Sequence, residues 1–174
     1  MNSWWQEVAE TLQSEFSDIA DASQLTRVTL RLVIAAVLGG ILGMQREHSG
    51  KAAGARTHML VAMGSALFVL APRMAGVDDA SLSRVIQGIV AGIGFLCAGT
   101  ILKRPSPSHV KGLTTAAGLW MTAAIGIAAG MGREATAVLS TLLALGILAL
   151  VPHVAKRLGP AKQHPQKQPD PQEP

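Results

Sequence analysis

The segment VTLRLVIAAVLGGILGMQREHSGKAAGARTHMLVAMGSALFVLAPRMA, residues 28–75, contains two long apolar runs on either side of a short charged stretch. Each run is close to the roughly 17 to 25 residues that a helix needs to cross the hydrocarbon core of a bilayer. Because lipid offers no hydrogen-bond partner to an open backbone, unalternating apolar runs of this length predict helices. The segment therefore predicts two membrane-spanning helices joined by a charged connection at one membrane surface.

The composition of the whole chain agrees with a membrane protein. Of the 174 residues, 49% are hydrophobic and 15% are charged, and the mean hydropathy is +0.34. A formal charge of +4 accompanies only 3% aromatic residues, which is a poor composition for a nucleic-acid surface. We therefore expect the lipid bilayer as a partner and no nucleic acid.

Three further apolar runs follow the first two. The five predicted spans occupy residues 28–44, 57–75, 85–102, 112–131 and 135–153. The expected organisation is an interfacial segment at 1–24, a five-helix transmembrane domain at 25–155 and a disordered, Pro- and Gln-rich cytoplasmic tail at 156–174.

An amphipathic helix is predicted ahead of the first span. Five apolar side chains repeat there at spacings of three and four: Trp5, Val8, Leu12, Phe16 and Ile19. This spacing places them on one helix face, and tryptophan favours the membrane–water boundary. The expected fold class is thus an all-α membrane protein with about five transmembrane helices preceded by an N-terminal amphipathic interfacial helix.

The distribution of Lys and Arg predicts the orientation of the spans. One set of connections and the tail carry ten cations: Arg46, Lys51, Arg56, Lys103, Arg104, Lys111, Lys156, Arg157, Lys162 and Lys167. The opposite side carries five: Arg27, Arg31, Arg73, Arg84 and Arg133. By the positive-inside rule the first side is cytoplasmic, so we expect the N-terminus outside and the C-terminus in the cytoplasm.

Small residues recur at every fourth position in several spans. Such spacing lets helix backbones approach closely in lipid, and it predicts helix packing or a subunit interface. The positions assigned to packing are Gly39, Gly43, Gly88, Gly92, Gly94, Gly99, Gly118, Thr122 and Gly126.

Two basic hinges share a short pattern. The first basic hinge (residues 44–60) and the second (residues 102–120) each contain Gly-x-x-Thr, at Gly54–Thr57 and Gly112–Thr115. If the threonines cap the following spans, two helix N-termini flanked by cations would form a site for an anion or a partner protein. The candidate binding residues are Arg46, Glu47, Lys51, Gly54, Arg56, Thr57, Lys111, Gly112, Thr114 and Thr115.

Other interpretations of the hinges remain open. Basic loops also set topology, and Arg46 would stabilise a helix C-terminus. Glu47 is the one acid in the hinges; it would pair with Arg56 or hold a hydrated cation, although one carboxylate makes a weak magnesium site. Histidines such as His58 are expected to be ordinary interfacial residues.

Catalysis and single-subunit cation transport are not indicated. No nucleophile–base set, P-loop or dinucleotide motif occurs, so no catalytic residue, metal site or cofactor is expected. No span carries an acid at its centre, where a cation carrier needs a compensating charge. An oligomeric channel or small-solute transporter lined by backbone at a subunit interface stays as the alternative.

The chain resembles the MgtC/SapB family of bacterial inner-membrane proteins. The resemblance rests on GMQREHSGKAAGARTHMLVAMGSALF, GIVAGIGFLCAGTIL and KGLTTAAGLWMTAAIGIAAGMG, within residues 30–150. It places three sets of residues in motifs of the family and assigns none of them a role. The sets are Arg46, Glu47, Gly54, Arg56 and Thr57; Gly92, Gly94 and Gly99; and Gly112, Thr115 and Trp120.

The resemblance implies a function as well as a fold. Virulence-associated members are linked to growth at low magnesium and acid tolerance, and are thought to restrain the F-type ATP synthase within the membrane. Their soluble C-terminal domain has no counterpart here, so the short SapB-like form is expected. The expected function is a non-enzymatic, homo-oligomeric regulator in magnesium, ion or envelope stress homeostasis in the inner membrane.

Overall fold

A computed structural model describes residues 4–15, 17, 21–102 and 112–157. These residues form six helices and no strand: α1 (Trp4–Glu15), α2 (Ala22–His48), α3 (Ala55–Met74), α4 (Asp79–Leu102), α5 (Leu113–Gly130) and α6 (Glu134–Arg157). Helices α2 to α6 are each long and apolar enough to cross a bilayer. The all-α fold class with five spans is therefore confirmed.

Helix α2 begins earlier than its apolar run. The Asp21 carboxylate accepts a hydrogen bond of 2.7 Å from the backbone N–H of Gln24, which satisfies an otherwise unpaired donor of the first turn. This hydrogen bond holds the pKa of Asp21 below its ordinary value. A polar first turn thus extends the helix to Ala22, whereas hydropathy marks only its lipid-exposed length.

Helix α1 stands apart from the bundle in its packing. None of its residues is buried, and Trp4 and Trp5 are 60% and 64% exposed. Its interfacial position stays a prediction. Phe16, residues 18–20 and the tail at 158–174 lie outside the described residues.

Helix α3 packs against both α2 and α5, and α2 and α5 also contact each other. A Cβ at Gly39 would lie 2.8 Å from the Ala62 Cβ, and a Cβ at Gly126 would overlap the Ala62 carbonyl oxygen. Ala62 itself is fully buried. Two glycines therefore let both α2 and α5 approach the same turn of α3 closely.

The same close approach recurs along both helix pairs. Gly43 faces Ala55, and Gly130 faces Ala66. The numbers of the contacting residues rise together in α3 and α5, so these two helices run parallel. In α2 and α3 the numbers of the contacting residues rise in opposite directions, so α2 runs antiparallel to α3. The N-termini of α3 and α5 consequently share one end of the bundle, called the hinge end below.

The glycines of α4 are placed differently. A Cβ at Gly88, Gly92, Gly94 or Gly99 would meet no atom within 4 Å among the described residues. Their expected packing role therefore has no counterpart inside the described chain, and it stays a prediction for contacts with another copy.

Two arginines secure the opposite end of the bundle. Arg31 donates to the Gly130 carbonyl at 3.4 Å and lies 3.6 Å from a Glu134 carboxylate oxygen. Arg73 donates to the Met131 carbonyl at 3.5 Å. Both cations therefore contact the C-terminal carbonyls of α5, where positive charge is favourable.

Candidate functional site

The first basic hinge is fixed by Glu47. Its carboxylate oxygen Oε2 accepts a hydrogen bond of 3.0 Å from the Ala55 N–H, the first amide of α3. A Cβ at Gly54 would lie only 2.6 Å from the same oxygen, so the position favours glycine. The last turn of α2 thereby caps the first turn of α3.

Two sequence expectations for this hinge are wrong. Thr57 does not cap α3, because the helix begins at Ala55 with Gly54 as its N-cap and no capping side chain at that position. Glu47 and Arg56 form no ion pair, since the described ion pairs are Arg31–Glu134 and Arg73–Asp79. The Glu47 carboxylate instead binds the helix N-terminus, which attracts negative charge.

Helix α5 also begins at a glycine. Gly112 has φ of 104° and is the N-cap without a side-chain hydrogen bond, so the expected capping by Thr114 or Thr115 is wrong. A side chain at Gly112 would overlap the Thr100 carbonyl oxygen. Thr114 is exposed and Thr115 buried. Lys111 and residues 103–110 lie outside the described residues.

The cations of the first hinge separate into two environments. Lys51 and Arg56 are exposed, as is Thr57. Arg46, by contrast, is only 3% exposed. Sequence reasoning placed these residues on one basic surface, but the structure turns Arg46 into the bundle.

The buried Arg46 lies beside a second buried polar side chain, His58, which is 0% exposed. A Cβ built on Gly118 would lie 3.6 Å from the His58 Nε2 and 4.0 Å from the Arg46 Nε. Residues of α2, α3 and α5 thus meet at one point near the hinge end. We call this cluster of Arg46, His58 and Gly118 the Arg–His pocket.

The polar atoms of the pocket lack well-aligned partners. The Nε and Nη2 atoms of Arg46 are buried without a hydrogen bond to any described residue. Neither ring nitrogen of His58 forms a well-aligned hydrogen bond, although the Gly54 carbonyl lies near the ring. No described carboxylate forms an ion pair with Arg46. An uncompensated buried cation costs several kcal/mol, so the pocket is electropositive and suited to an anion.

The chemistry of the pocket excludes a cation site there. Guanidinium nitrogens only donate hydrogen bonds and carry positive charge. Among residues 4–15, 17, 21–102 and 112–157, no group of three or more His, Cys, Asp or Glu could hold a metal ion. Mg²⁺ prefers several oxygen ligands, and the Arg–His pocket offers none from side chains.

Sequence reasoning missed His58 as a site residue, although a usable signal was present. Gly39, Gly43 and Arg46 lie on one face of α2 at helical spacing, and His58 and Ala62 do so on α3. The small residues Gly39 and Gly43 mark the face of α2 that packs on α3. Following this face for one more turn toward the hinge would have placed Arg46, together with His58, between α2 and α3.

Replacing Glu47 tests the hinge. We expect Glu47→Ala to destabilise the first turn of α3 by about 1 kcal/mol, the usual cost of losing a helix cap. Glu47→Gln retains an oxygen acceptor and should have a smaller effect. Hydrogen exchange at the Ala55–His58 amides measures this, with roughly fivefold faster exchange in the alanine variant. Equal exchange in all three proteins would show that the contact is dispensable.

The bundle and its hinge end define a class of protein. Five apolar helices long enough to span a bilayer make this chain a multi-pass α-helical membrane protein. A family model described as the MgtC family matches residues 32–157. The chain therefore belongs to the MgtC family.

Curated relatives agree with this assignment. Protein SrpB of Synechococcus elongatus is 43% identical over 129 residues, covering 68% of this chain and 71% of SrpB. The putative magnesium transporter YhiD of Escherichia coli K12 is 40% identical over 136 residues, covering 74% and 62%. Protein MgtC of Salmonella typhimurium 14028s is 39% identical over 129 residues, covering 74% and 54%. No solved structure matches the chain.

Proposed function

We propose that this protein is a non-enzymatic regulator in magnesium or envelope stress homeostasis of the bacterial inner membrane. It works by binding an anionic ligand or a membrane-protein partner at the hinge end, which faces the cytoplasm. The names of YhiD and MgtC and their similarity to this chain support the magnesium connection. Since the chain spans 62% and 54% of those relatives, their whole-protein activities are not carried over.

The buried charge of Arg46 is the observation that carries the proposal. A cation path through α2, α3 and α5 would pass a guanidinium that is 97% buried, given its 3% exposure, with no described carboxylate paired to it. Such a charge repels Mg²⁺ strongly in a medium of low dielectric constant. Binding of an anion, in contrast, compensates the charge.

A conduit between subunits is the second candidate. A groove of 560 Å³ between α3 and α4 contains Gly64, Gly88 and Gly92, and these glycines have open space beside them in the described chain. A second copy would fill this face and make the protein a homo-oligomer. The groove is otherwise lined by apolar side chains with Ser65 as an exception, so it offers an ion few ligands.

Flux measurements separate the two candidates. Purified protein in sealed vesicles containing a magnesium-sensitive dye should show no Mg²⁺ entry above that of protein-free vesicles. Selective, saturable entry that a bulky residue at Gly92 abolishes would contradict the regulator and support the conduit.

A growth assay tests the hinge end in the cell. We expect Arg56→Ala to reduce growth at low magnesium at least several-fold while the protein still inserts, because the substitution removes an exposed cation from the proposed binding face. Arg84→Ala is the matched control, since Arg84 is exposed near the start of α4 at the opposite end. Equal growth of wild type and both variants would count against a functional hinge.

A further inference from the structure

We propose that Arg46, His58 and Gly118 bind a phosphate group at the hinge end of the bundle. The two sources that present this chemistry are free inorganic phosphate and the headgroup of an anionic phospholipid. The inference deepens the proposed function, because it assigns a chemical class and a location to the regulator's anionic ligand. Binding itself is measured separately from growth and flux.

The guanidinium of Arg46 supplies the main attraction. Arginine stays charged in proteins and presents its N–H donors as a planar fork that matches two oxygens of a phosphate. Both its Nε and Nη2 are buried without a partner in the described chain. Oxygen acceptors at these two donors would form charge-assisted hydrogen bonds, which are roughly twice as strong as neutral ones.

His58 supplies a further donor from a second helix. Buried histidine nitrogens are normally hydrogen-bonded, yet neither nitrogen of this fully buried ring forms a well-aligned hydrogen bond to a described residue, and the Gly54 carbonyl is near enough only for a weak one. The neutral ring carries one N–H, and placing it on Nε2 would direct it to the Gly118 side of the pocket. Two buried side chains on different helices thus converge on one small space.

Gly118 provides the opening. A methyl at this position would be in ordinary contact with both nitrogens, at 3.6 and 4.0 Å, so the glycine leaves a notch in α5 beside them that any side chain would fill. Gly118 is itself half-buried, so a phosphate would approach the two nitrogens from the surface of α5. The notch lies five residues beyond Leu113, about 8 Å along the helix axis, in the half of α5 nearer the hinge end.

The surrounding charges favour an anion. The N-termini of α3 and α5 and the C-termini of α2 and α4 all lie at the hinge end, so their dipoles partly cancel and the guanidinium of Arg46 supplies the net positive charge. The neighbouring carboxylate of Glu47 is directed to the Ala55 N–H. No described acid forms an ion pair with Arg46, so none occupies the position of the phosphate.

The test uses the full chain, purified in maltoside detergent and depleted of lipid. Thermal unfolding is followed during titration with sodium phosphate at constant ionic strength, and separately with phosphatidylglycerol in mixed micelles. Wild type should be stabilised in a saturable manner by at least one of the two. Stabilisation by phosphate alone identifies the free anion as the ligand, and saturation by the phospholipid alone identifies a headgroup; stabilisation by both supports a general phosphate site.

Two variants locate the site. Gly118→Ala fills the notch at contact distances that the fold tolerates, so we expect at least a tenfold weaker apparent affinity with little change in the ligand-free melting temperature. Gly146→Ala is the control, because Gly146 is also half-buried and has open space beside it. Should Gly118→Ala fold poorly, Arg46→Met provides the same test.

Several results would overturn the site. They are the absence of stabilisation by either compound, equal stabilisation by chloride or sulfate at matched ionic strength, and affinity unchanged in both Gly118→Ala and Arg46→Met. If the protein binds phosphate and also carries Mg²⁺ into vesicles, the phosphate site stands and the regulator proposal is rejected. If the vesicles show no Mg²⁺ flux and the protein does not bind phosphate, the regulator proposal stands and the phosphate site is rejected.

Discussion

Gly126→Ala is expected to lower the free energy of unfolding by about 3 kcal/mol, at the upper end of the usual cost of overpacking a close-packed interior. The added methyl group would overlap the Ala62 carbonyl oxygen and lie 2.9 Å from the Ala62 Cα. Ala62 has little room to move away, because α2 packs so closely against it that a Cβ at Gly39 would lie 2.8 Å from its side chain. Helices α3 and α5 would have to separate.

Reversible unfolding in mixed micelles with increasing dodecyl sulfate measures this effect. The matched control is Gly146→Ala, which adds the same methyl group to a helix interior where no described atom lies within 4 Å. That variant should be unchanged or more stable by up to about 1 kcal/mol, since alanine favours a helix more than glycine does. Equal stability of the two variants would contradict the close contact of α3 with α5.

Arg46→Met is expected to have the opposite effect on stability. In phosphate-free detergent the variant should be more stable than wild type by about 2 kcal/mol, because it removes a buried charge whose desolvation is not compensated. Methionine retains a flexible apolar stem of similar length. The same variant should lose stabilisation by phosphate and fail to support growth at low magnesium.

Arg31→Met serves as the comparison, because its effect on protein stability should have the opposite sign. Arg31 is also partly buried, but it donates to the Gly130 carbonyl and lies near Glu134. Its removal should therefore destabilise the protein, by about 1 kcal/mol, as for an ordinary hydrogen bond. A large loss of stability in Arg46→Met would instead show that its guanidinium has a protein partner, and the Arg–His pocket would then be a structural contact.

The sequence was a good guide to the spans and a poor guide to their ends. Span length and hydropathy are properties of a continuous segment, so α3 and α5 could be located without knowing their neighbours. The caps depend on contacts between segments. Gly54 lies against the Glu47 carboxylate, and Gly112 is required by its positive φ and by the Thr100 carbonyl. Neither contact is visible in a Gly-x-x-Thr pattern.

The candidate site was likewise predicted in part. The sequence singled out Arg46 as a candidate binding residue at the hinge end, since a cation there is conspicuous among apolar runs. It did not predict burial, which arises because Gly39 and Gly43 bring α2 onto α3 and so draw the next turn of α2 inward. The hydropathy of His58 gave no indication that its ring would be enclosed by the same contact.

Electron microscopy of the full chain in native lipid, at a resolution that separates side chains, would reveal whether a phosphate group binds in the Arg–His pocket. We expect non-protein density the size of a phosphate in the notch at Gly118, within hydrogen-bond distance of the Arg46 guanidinium and the His58 ring. A protein carboxylate paired with Arg46, or an Arg46 side chain extended into solvent beside an empty notch, would show that the pocket is not a phosphate site.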